Sequence, residues 1–238
     1  LGTQGTLFLI PNVIVENTHR AVIPNHVLEN LKSIQYFLAE DIRTARRYLS
    51  SLKIYDSIES LHFEVLNKDT QEKELAELLK PVIEGKNIGV ISESGCPGVA
   101  DPGAMAVEYA HKKNISVVPL VGPSSILLAL MGSGLNGQQF AFHGYLPIDS
   151  KEASRKIKEL ESESRLKNQT QIFIETPYRN NQVLKYLVDG LHSHTSLCIA
   201  LNLTGKDEFI KMQTVAEWKK NIPMLPKEPA VFLFLNKQ

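Results

Sequence analysis

Apolar positions along the chain follow two alternating rhythms, short continuous runs of strand length and longer stretches with helical spacing. Thr6-Leu7-Phe8-Leu9-Ile10 predicts a strand, and residues 25–38 predict an amphipathic helix. Ala39-Glu40-Asp41 leads into a second helical stretch over 42–49. Residues 71–84 place Leu75, Leu78, Leu79, Val82 and Ile83 on one face of a third. A buried strand over 87–91 is followed by a Gly/Pro loop, a helix near 104–113 and a strand over 116–120. After Val121-Gly122-Pro123 the pattern restarts with an apolar helix that opens at Ser124 or Ser125 and breaks at Gly132 and Gly134. Then come a strand over 140–142, a highly charged and so exposed helix over 151–166, and a strand over 171–174. A helix over 181–191 and strands over 197–201 and 230–235 complete the series. This alternation predicts an α/β fold with a mostly parallel sheet. A boundary near Leu120 gives domains 1–120 and 121–238, packed together because no Pro/Ser-rich linker separates them.

Composition narrows the classes. With 43% hydrophobic residues in 238 the chain is an ordinary globular protein, long enough for one large domain or two small ones. The 26 Lys+Arg balance 26 Asp+Glu, which argues against a general polyanion binder while leaving local basic patches open. Cys96 and Cys198 show neither C-x-x-C nor zinc spacing, so no disulfide framework and no metal are expected, and a reducing cytoplasm fits. The first ten residues lack the basic lead and cleavage site of a secretory signal, and no apolar run approaches the ~20 residues that cross a bilayer. A soluble protein with no membrane partner is expected.

Three strand-to-helix corners could carry chemistry. Residues 92–103, Ser92-Glu93-Ser94-Gly95-Cys96-Pro97-Gly98-Val99-Ala100-Asp101-Pro102-Gly103, follow a buried strand where ligands sit in parallel α/β sheets, and glycines there allow close backbone approach. The same residues also read as a long turn stiffened by Pro97 and Pro102. Neither G-x-G-x-x-G nor a P-loop motif occurs, which leaves another adenosine-bearing ligand open. At Val121-Gly122-Pro123-Ser124-Ser125 a helix N-terminus could hold a carboxylate, although simple N-capping explains the serines equally. In Glu175-Thr176-Pro177-Tyr178-Arg179, Arg179 is a substrate clamp or a helix-start ion pair. Cys96 reads as a small packing residue, and His192 and His194 as part of a solvated loop. Arg43, Arg46 and Arg47 form a solvated helix face or, with Glu40 and Asp41, a polar site.

The order and spacing of these corners, with Thr6–Ile10 and Pro11, Ala39-Glu40-Asp41-Ile42-Arg43-Thr44 and Gly144-Tyr145-Leu146-Pro147, resemble the tetrapyrrole methylase superfamily across nearly the whole chain. Within it the chain is most similar to the branch of ribosomal RNA small subunit methyltransferase I, which methylates a cytidine 2′-hydroxyl with S-adenosylmethionine and leaves S-adenosylhomocysteine. The resemblance implies two packed α/β domains, the cofactor in the cleft between them, and a homodimer acting on RNA or the small ribosomal subunit. Carried over by position, Ser92, Glu93, Ser94, Gly95 and Pro97 wrap the methionine part of the cofactor, Ser124 and Ser125 hold it, and Thr176, Pro177, Leu201 and Ala230 line its adenosine side. Asp41, Arg43 and Arg179 become the candidates for substrate orientation or proton handling. Departures fall mainly on the acceptor side. Residues 12–17 replace a glycine-containing stretch, residues 64–67 replace a His-x-His-Asn segment, Leu201-Asn202 replaces an Arg-Glu pair, and His143 replaces a glutamate; on the cofactor side Cys96 replaces a threonine. The alternatives are methylation of a tetrapyrrole or other small acceptor, and a non-catalytic relative that kept only cofactor or RNA binding.

Overall fold

The computed structural model describes residues 4–237; residues 1–3, part of the stretch weighed above as a leader, and Gln238 lie outside the described residues. The chain divides into two compact units, Leu1–Ser124 and Ser125–Gln238.

The first unit runs β1 (Thr6–Ile10), α1 (His19–Val22), α2 (Asn25–Leu31), β2 (Tyr36–Ala39), α3 (Ile42–Leu52), β3 (His62–Val65), α4 (Glu72–Leu78), α5 (Lys80–Ile83), β4 (Ile88–Ile91), α6 (Gly103–Lys112) and β5 (Ser116–Pro119). Its five strands are all parallel, in the order β3-β2-β4-β1-β5. Side chains alternate across the sheet with the strand period of two. Phe8, Ile10, Phe37, Ala39 and Ile91 face α2 and α3, while Leu7, Leu38, Ile88 and Val90 face α4, α5 and α6. The α3 helix shows why the local sequence folds as it does. The Asp41 carboxylate caps its start by accepting from Thr44 N at 2.6 Å, Ala45, Tyr48, Leu49 and Leu52 bury one face, and Lys53 in the left-handed region ends it.

The second unit runs α7 (Ser125–Ser133), β6 (Phe140–Phe142), α8 (Ser150–Lys167), β7 (Thr170–Glu175), α9 (Asn180–Gly190), β8 (Ser196–Leu201), β9 (Phe209–Thr214), α10 (Val215–Lys220) and β10 (Ala230–Leu235). Its strand order is β6-β7-β10-β8-β9, with β6 parallel to β7 and every other pairing antiparallel. The expectation of a mostly parallel sheet therefore holds for the first unit and fails for the second, where β10 returns between β7 and β8. On one face of this sheet Ile126, Ala129 and Leu130 of α7 pack over Cys198, Ala200, Val231 and Leu233; on the other, α8, α9 and α10 cover Phe173, Ile199, Phe232 and Phe234.

Several expected elements are corrected. The helix expected over 25–38 stops at Leu31, where Ser33 N and Oγ both bond Asn30 O, and Tyr36–Ala39 instead forms a central strand. The stretch over 71–84 is two helices, because Pro81 brings no N–H to a continuous ladder. The charged α8 is exposed on one side only and buries Ala153, Ile157, Leu160, Glu161 and Ser164 on the other. Edge strands β3 and β9 were not anticipated: each pairs on one side only and is largely exposed, so neither shows a buried run.

Candidate active site

Parallel pairing brings the carboxyl ends of all the first unit's strands to one edge of its sheet. Since β1 continues toward the α1–α3 face and the neighbouring β4 toward the α6 face, their loops part in opposite directions and leave the crevice in which open α/β sheets bind ligands. Asn12, 2% exposed, bridges it. Its N–H donates to Gly95 O at 2.9 Å, its Nδ2 donates to Ser92 O at 2.9 Å and Glu93 O at 3.1 Å, and its Oδ1 accepts from Val13 N at 2.7 Å. The loop after β4 is closed from within by Asp101, whose Oδ1 accepts from Gly98 N at 2.8 Å and Gly103 N at 2.9 Å. Gly95 lies at φ +68°, a conformation that favours glycine. Cys96 Sγ donates to Pro123 O at 3.4 Å, and Gly122 sits so close to Pro11 that an added Cβ would fall 2.0 Å from the proline Cβ. The loops after β1, β4 and β5 are thus stitched together, with Ser92 and Pro97 buried and Glu93 and Ser94 exposed.

Carboxylates gather at this edge. Burial first, and then the charges of Glu93 and Asp101, push the Glu40 carboxyl above its ordinary range. Asp41 beside it goes the other way, held below its usual range chiefly by the Thr44 N–H. Arg43 is exposed on the first turn of α3, Arg47 pairs with Glu16 at 2.8 Å, and Arg46 lies 5.1 Å over the Phe63 ring. A cavity of about 130 Å³ lined by Asn12, Glu93, Thr44, Arg47 and Tyr48 opens here, and Tyr48 OH donates to Pro11 O at 2.7 Å.

In the second unit, strand register assembles a corresponding edge. Ala230 stands opposite both Glu175 and Leu201, so Thr176, Pro177, Leu201 and Ala230, scattered in sequence, come together. Asn202 N donates to Pro229 O at 3.1 Å. Asn202 and Thr204 both take positive φ, 49° and 73°, and their Oδ1 and Oγ1 atoms are buried with no hydrogen-bond partner among the described residues. Arg179 is occupied inside this unit. Its Nη1 lies 3.1 Å from Glu175 Oε2, and it donates to Leu146 O and Pro147 O at 3.3 and 3.0 Å. Of the two sequence readings, the ion pair describes it; Arg179 positions the loop after β6 rather than offering a free guanidinium. Ser125 begins α7, while Ser124 closes the first unit. His192 and His194 stack at 5.7 Å before β8, at the opposite end of the sheet from this edge.

Curated relatives of this chain carry the description ribosomal RNA small subunit methyltransferase I. Ribosomal RNA small subunit methyltransferase I of Bacillus subtilis (strain 168) is 34% identical over 212 residues, 87% of this chain and 67% of that protein. The Escherichia coli O157:H7 protein of the same name is 33% identical over 216 residues, 90% of this chain and 71% of its own length. The chain belongs to the ribosomal RNA small subunit methyltransferase I family. No family model matches the chain. Among solved structures, the methyltransferase CobJ aligns with a TM-score of 0.63, covering 98% of this chain and 94% of its own. Uroporphyrin-III-C-methyltransferase from Thermus thermophilus aligns with a TM-score of 0.57, covering 97% and 92%. Both are 16% identical and establish the fold, the tetrapyrrole methylase architecture expected from sequence.

Sequence reasoning left Asn12, Glu175, Asn202 and Thr204 out of the site and named Glu40 only in passing. Asn12, Glu40 and Asn202 each follow directly or within two residues of a strand's last residue, the signal that could have found them; Glu175 ends a strand, and Thr204 shows nothing until its φ is known.

Proposed function

We propose that this chain transfers the methyl group of S-adenosylmethionine to a ribose 2′-hydroxyl of small-subunit ribosomal RNA, working as a homodimer in the cytoplasm. The kinship with proteins named for ribosomal RNA small subunit methylation, at 31–34% identity over roughly seven-tenths of their length, carries this reading. The residues present fit the cofactor. The exposed acidic side chain of Glu93 suits the cationic methionine portion, and the orphaned Asn202 Oδ1 and Thr204 Oγ1 suit the polar edge of an adenine. Ser92, Ser94, Gly95, Pro97, Ser124, Ser125, Thr176, Pro177, Leu201 and Ala230 remain the residues assigned to hold it.

When bound, S-adenosylmethionine supplies a methyl group already activated on a sulfonium, so alignment accounts for much of the acceleration. What the chain must add is a place for the acceptor's proton. Asp41 is a weak base, committed to capping α3, whereas Glu40 combines partial burial with neighbouring negative charge, which strengthens a carboxylate as a base. We therefore give proton acceptance to Glu40, the positioning of its loop to Asp41, and contact with acceptor phosphates to Arg43. The two-fold assembly is supported by the family and by the exposed Met131 on the apolar α7, two-fold pairing being the commonest closed symmetry; a stable monomer by light scattering at micromolar concentration would refute it.

The test is incorporation of labelled methyl groups into small ribosomal subunits that lack the modification, beside free RNA and tetrapyrrole precursors. Subunits should accept label, and Glu40→Gln should lose most of it while still binding the cofactor by calorimetry. Label entering only a tetrapyrrole would replace the RNA reading; no transfer to any acceptor despite cofactor binding would leave a non-catalytic relative.

A further inference from the structure

Away from both edges just described, the outer surface of α8 carries one stripe without acidic residues beside a stripe of mixed charge. Residues 151, 155, 158, 162 and 165 recur at spacings of four and three, which stacks them on one helical stripe. They are Lys151, Arg155, Lys158, Ser162 and Arg165, all exposed. The acids Glu152, Glu159 and Glu163 form a neighbouring stripe, and two of them are answered locally: Glu163 by Lys167 at 3.1 Å, Glu159 by Lys156 at 4.0 Å and Arg155 at 3.8 Å. Among the described residues Lys151, Lys158 and Arg165 have no carboxylate within ion-pair distance.

The basic stripe borders two surface hollows, an open one of about 490 Å³ formed by α8 alone beside Lys151, Ser154 and Arg155 and one of about 360 Å³ beside Ser162, Arg165 and His192, and Lys158 borders both. The carboxylate in the second hollow is Glu161, 4% exposed, and its Oε1 is taken by His192 N, Thr195 Oγ1 and Asn236 Nδ2. From residue 151 to 165 the stripe extends about 21 Å along the helix. Three cations with no carboxylate within ion-pair distance among the described residues, spread over that length with Arg155 and the hydroxyls of Ser154 and Ser162 beside them, match a string of phosphates, where cations bring affinity and hydroxyls fix orientation.

We propose that the basic stripe of α8 is a second RNA-contacting surface, which grips the phosphate backbone of the acceptor RNA outside the methyl-transfer site. This rests on the RNA-acceptor reading above and deepens it: a chain of zero net formal charge holds RNA through a local basic stripe rather than through overall basicity. An acidic protein segment is the competing occupant.

The experiment is a fluorescence-anisotropy titration of a labelled single-stranded oligoribonucleotide and of polyglutamate at several salt concentrations. It compares wild type with a variant carrying Lys151→Ala, Arg155→Ala, Lys158→Ala and Arg165→Ala. RNA affinity should fall by more than about tenfold, and the slope of log affinity against log salt should flatten by about 3, near 0.7 per cation removed. Unfolding temperature and calorimetric cofactor affinity should stay at wild-type values, and Glu152→Gln with Glu163→Gln should weaken nothing. Unchanged RNA affinity and slope in the four-fold variant, with wild type still methylating small subunits, overturns the role of the stripe and spares the acceptor reading. Equal loss of polyglutamate and RNA binding assigns the stripe to an acidic protein instead. A wild type that neither binds nor methylates RNA overturns both.

Discussion

Asn12 can be tested as the pin of the cofactor loop with two substitutions, one that truncates the amide and one that changes little more than its charge. Asn12→Ala removes three side-chain hydrogen bonds, to Ser92 O, Glu93 O and Val13 N, from a site 2% exposed, where water cannot readily replace them. At about 0.5–1.5 kcal/mol net for each bond, the loss should be roughly 2–4 kcal/mol. For a chain of this size that lowers the unfolding midpoint by roughly 6–12 °C if unfolding is a single transition. Asn12→Asp keeps the shape and the acceptor for Val13 N but points a carboxylate at two carbonyl oxygens, so its ionised form should be at least as unstable as the alanine variant. Protonation returns one donor. The folded-state pKa of that carboxyl then lies above its unfolded value of about 3.9, so the penalty is absent below that value and grows as pH rises through it toward the folded value. Stability of Asn12→Asp relative to wild type should therefore recover on acidification, while that of Asn12→Ala should not. Thermal melts across pH read this directly, and calorimetry should show both variants binding S-adenosylmethionine more weakly because the Ser92–Gly95 backbone is no longer held. A midpoint change under about 2 °C, with unaltered binding, would show that the loop does not depend on Asn12.

Three further outcomes are expected. Gly122→Ala places a Cβ 2.0 Å from Pro11 Cβ and should cost about 1–3 kcal/mol by denaturant titration while weakening cofactor binding; a variant of wild-type stability would contradict the close approach. Arg179→Met leaves the Glu175 carboxylate, with its side chain 1% exposed, without its cation and should cost about 3–5 kcal/mol, and adding Glu175→Gln should recover part of it; strictly additive losses would deny the pair. Burial pushes the Cys198 thiol up to about 12, so iodoacetamide near pH 8 should label the partly exposed Cys96 first, as peptide mass mapping would show, and early labelling of Cys198 would mean that the α7 face opens.

The elements with buried periodicity were legible in the residues themselves. β1, β4, α3, α6 and β10 could be read within a few residues of their ends, because a strand buried on both faces is continuously apolar and a half-buried helix repeats at 3.6. The corners at Ser92–Gly103 and Glu175–Arg179 were legible too, since glycine and proline punctuate the chain wherever it turns. Partnership across the sheets was not. Nothing local in Ala230-Val231-Phe232 says that β10 runs antiparallel between β7 and β8, yet that register alone sets Ala230 between Glu175 and Leu201. Asn12 reads as any polar residue after a strand until β1 and β4 are neighbours and its amide spans their loops. Glu40 and Asp41 are adjacent carboxylates of nearly the same chemistry, and only their surroundings push one up and the other down. Sequence determined which residues could serve as strand, helix or corner, because those preferences are carried by each side chain and its near neighbours. Tertiary structure decided which corners meet and which charges strengthen or satisfy one another, because hydrogen bonds, desolvation and Coulomb interactions act over a few ångströms of space whatever the separation in sequence.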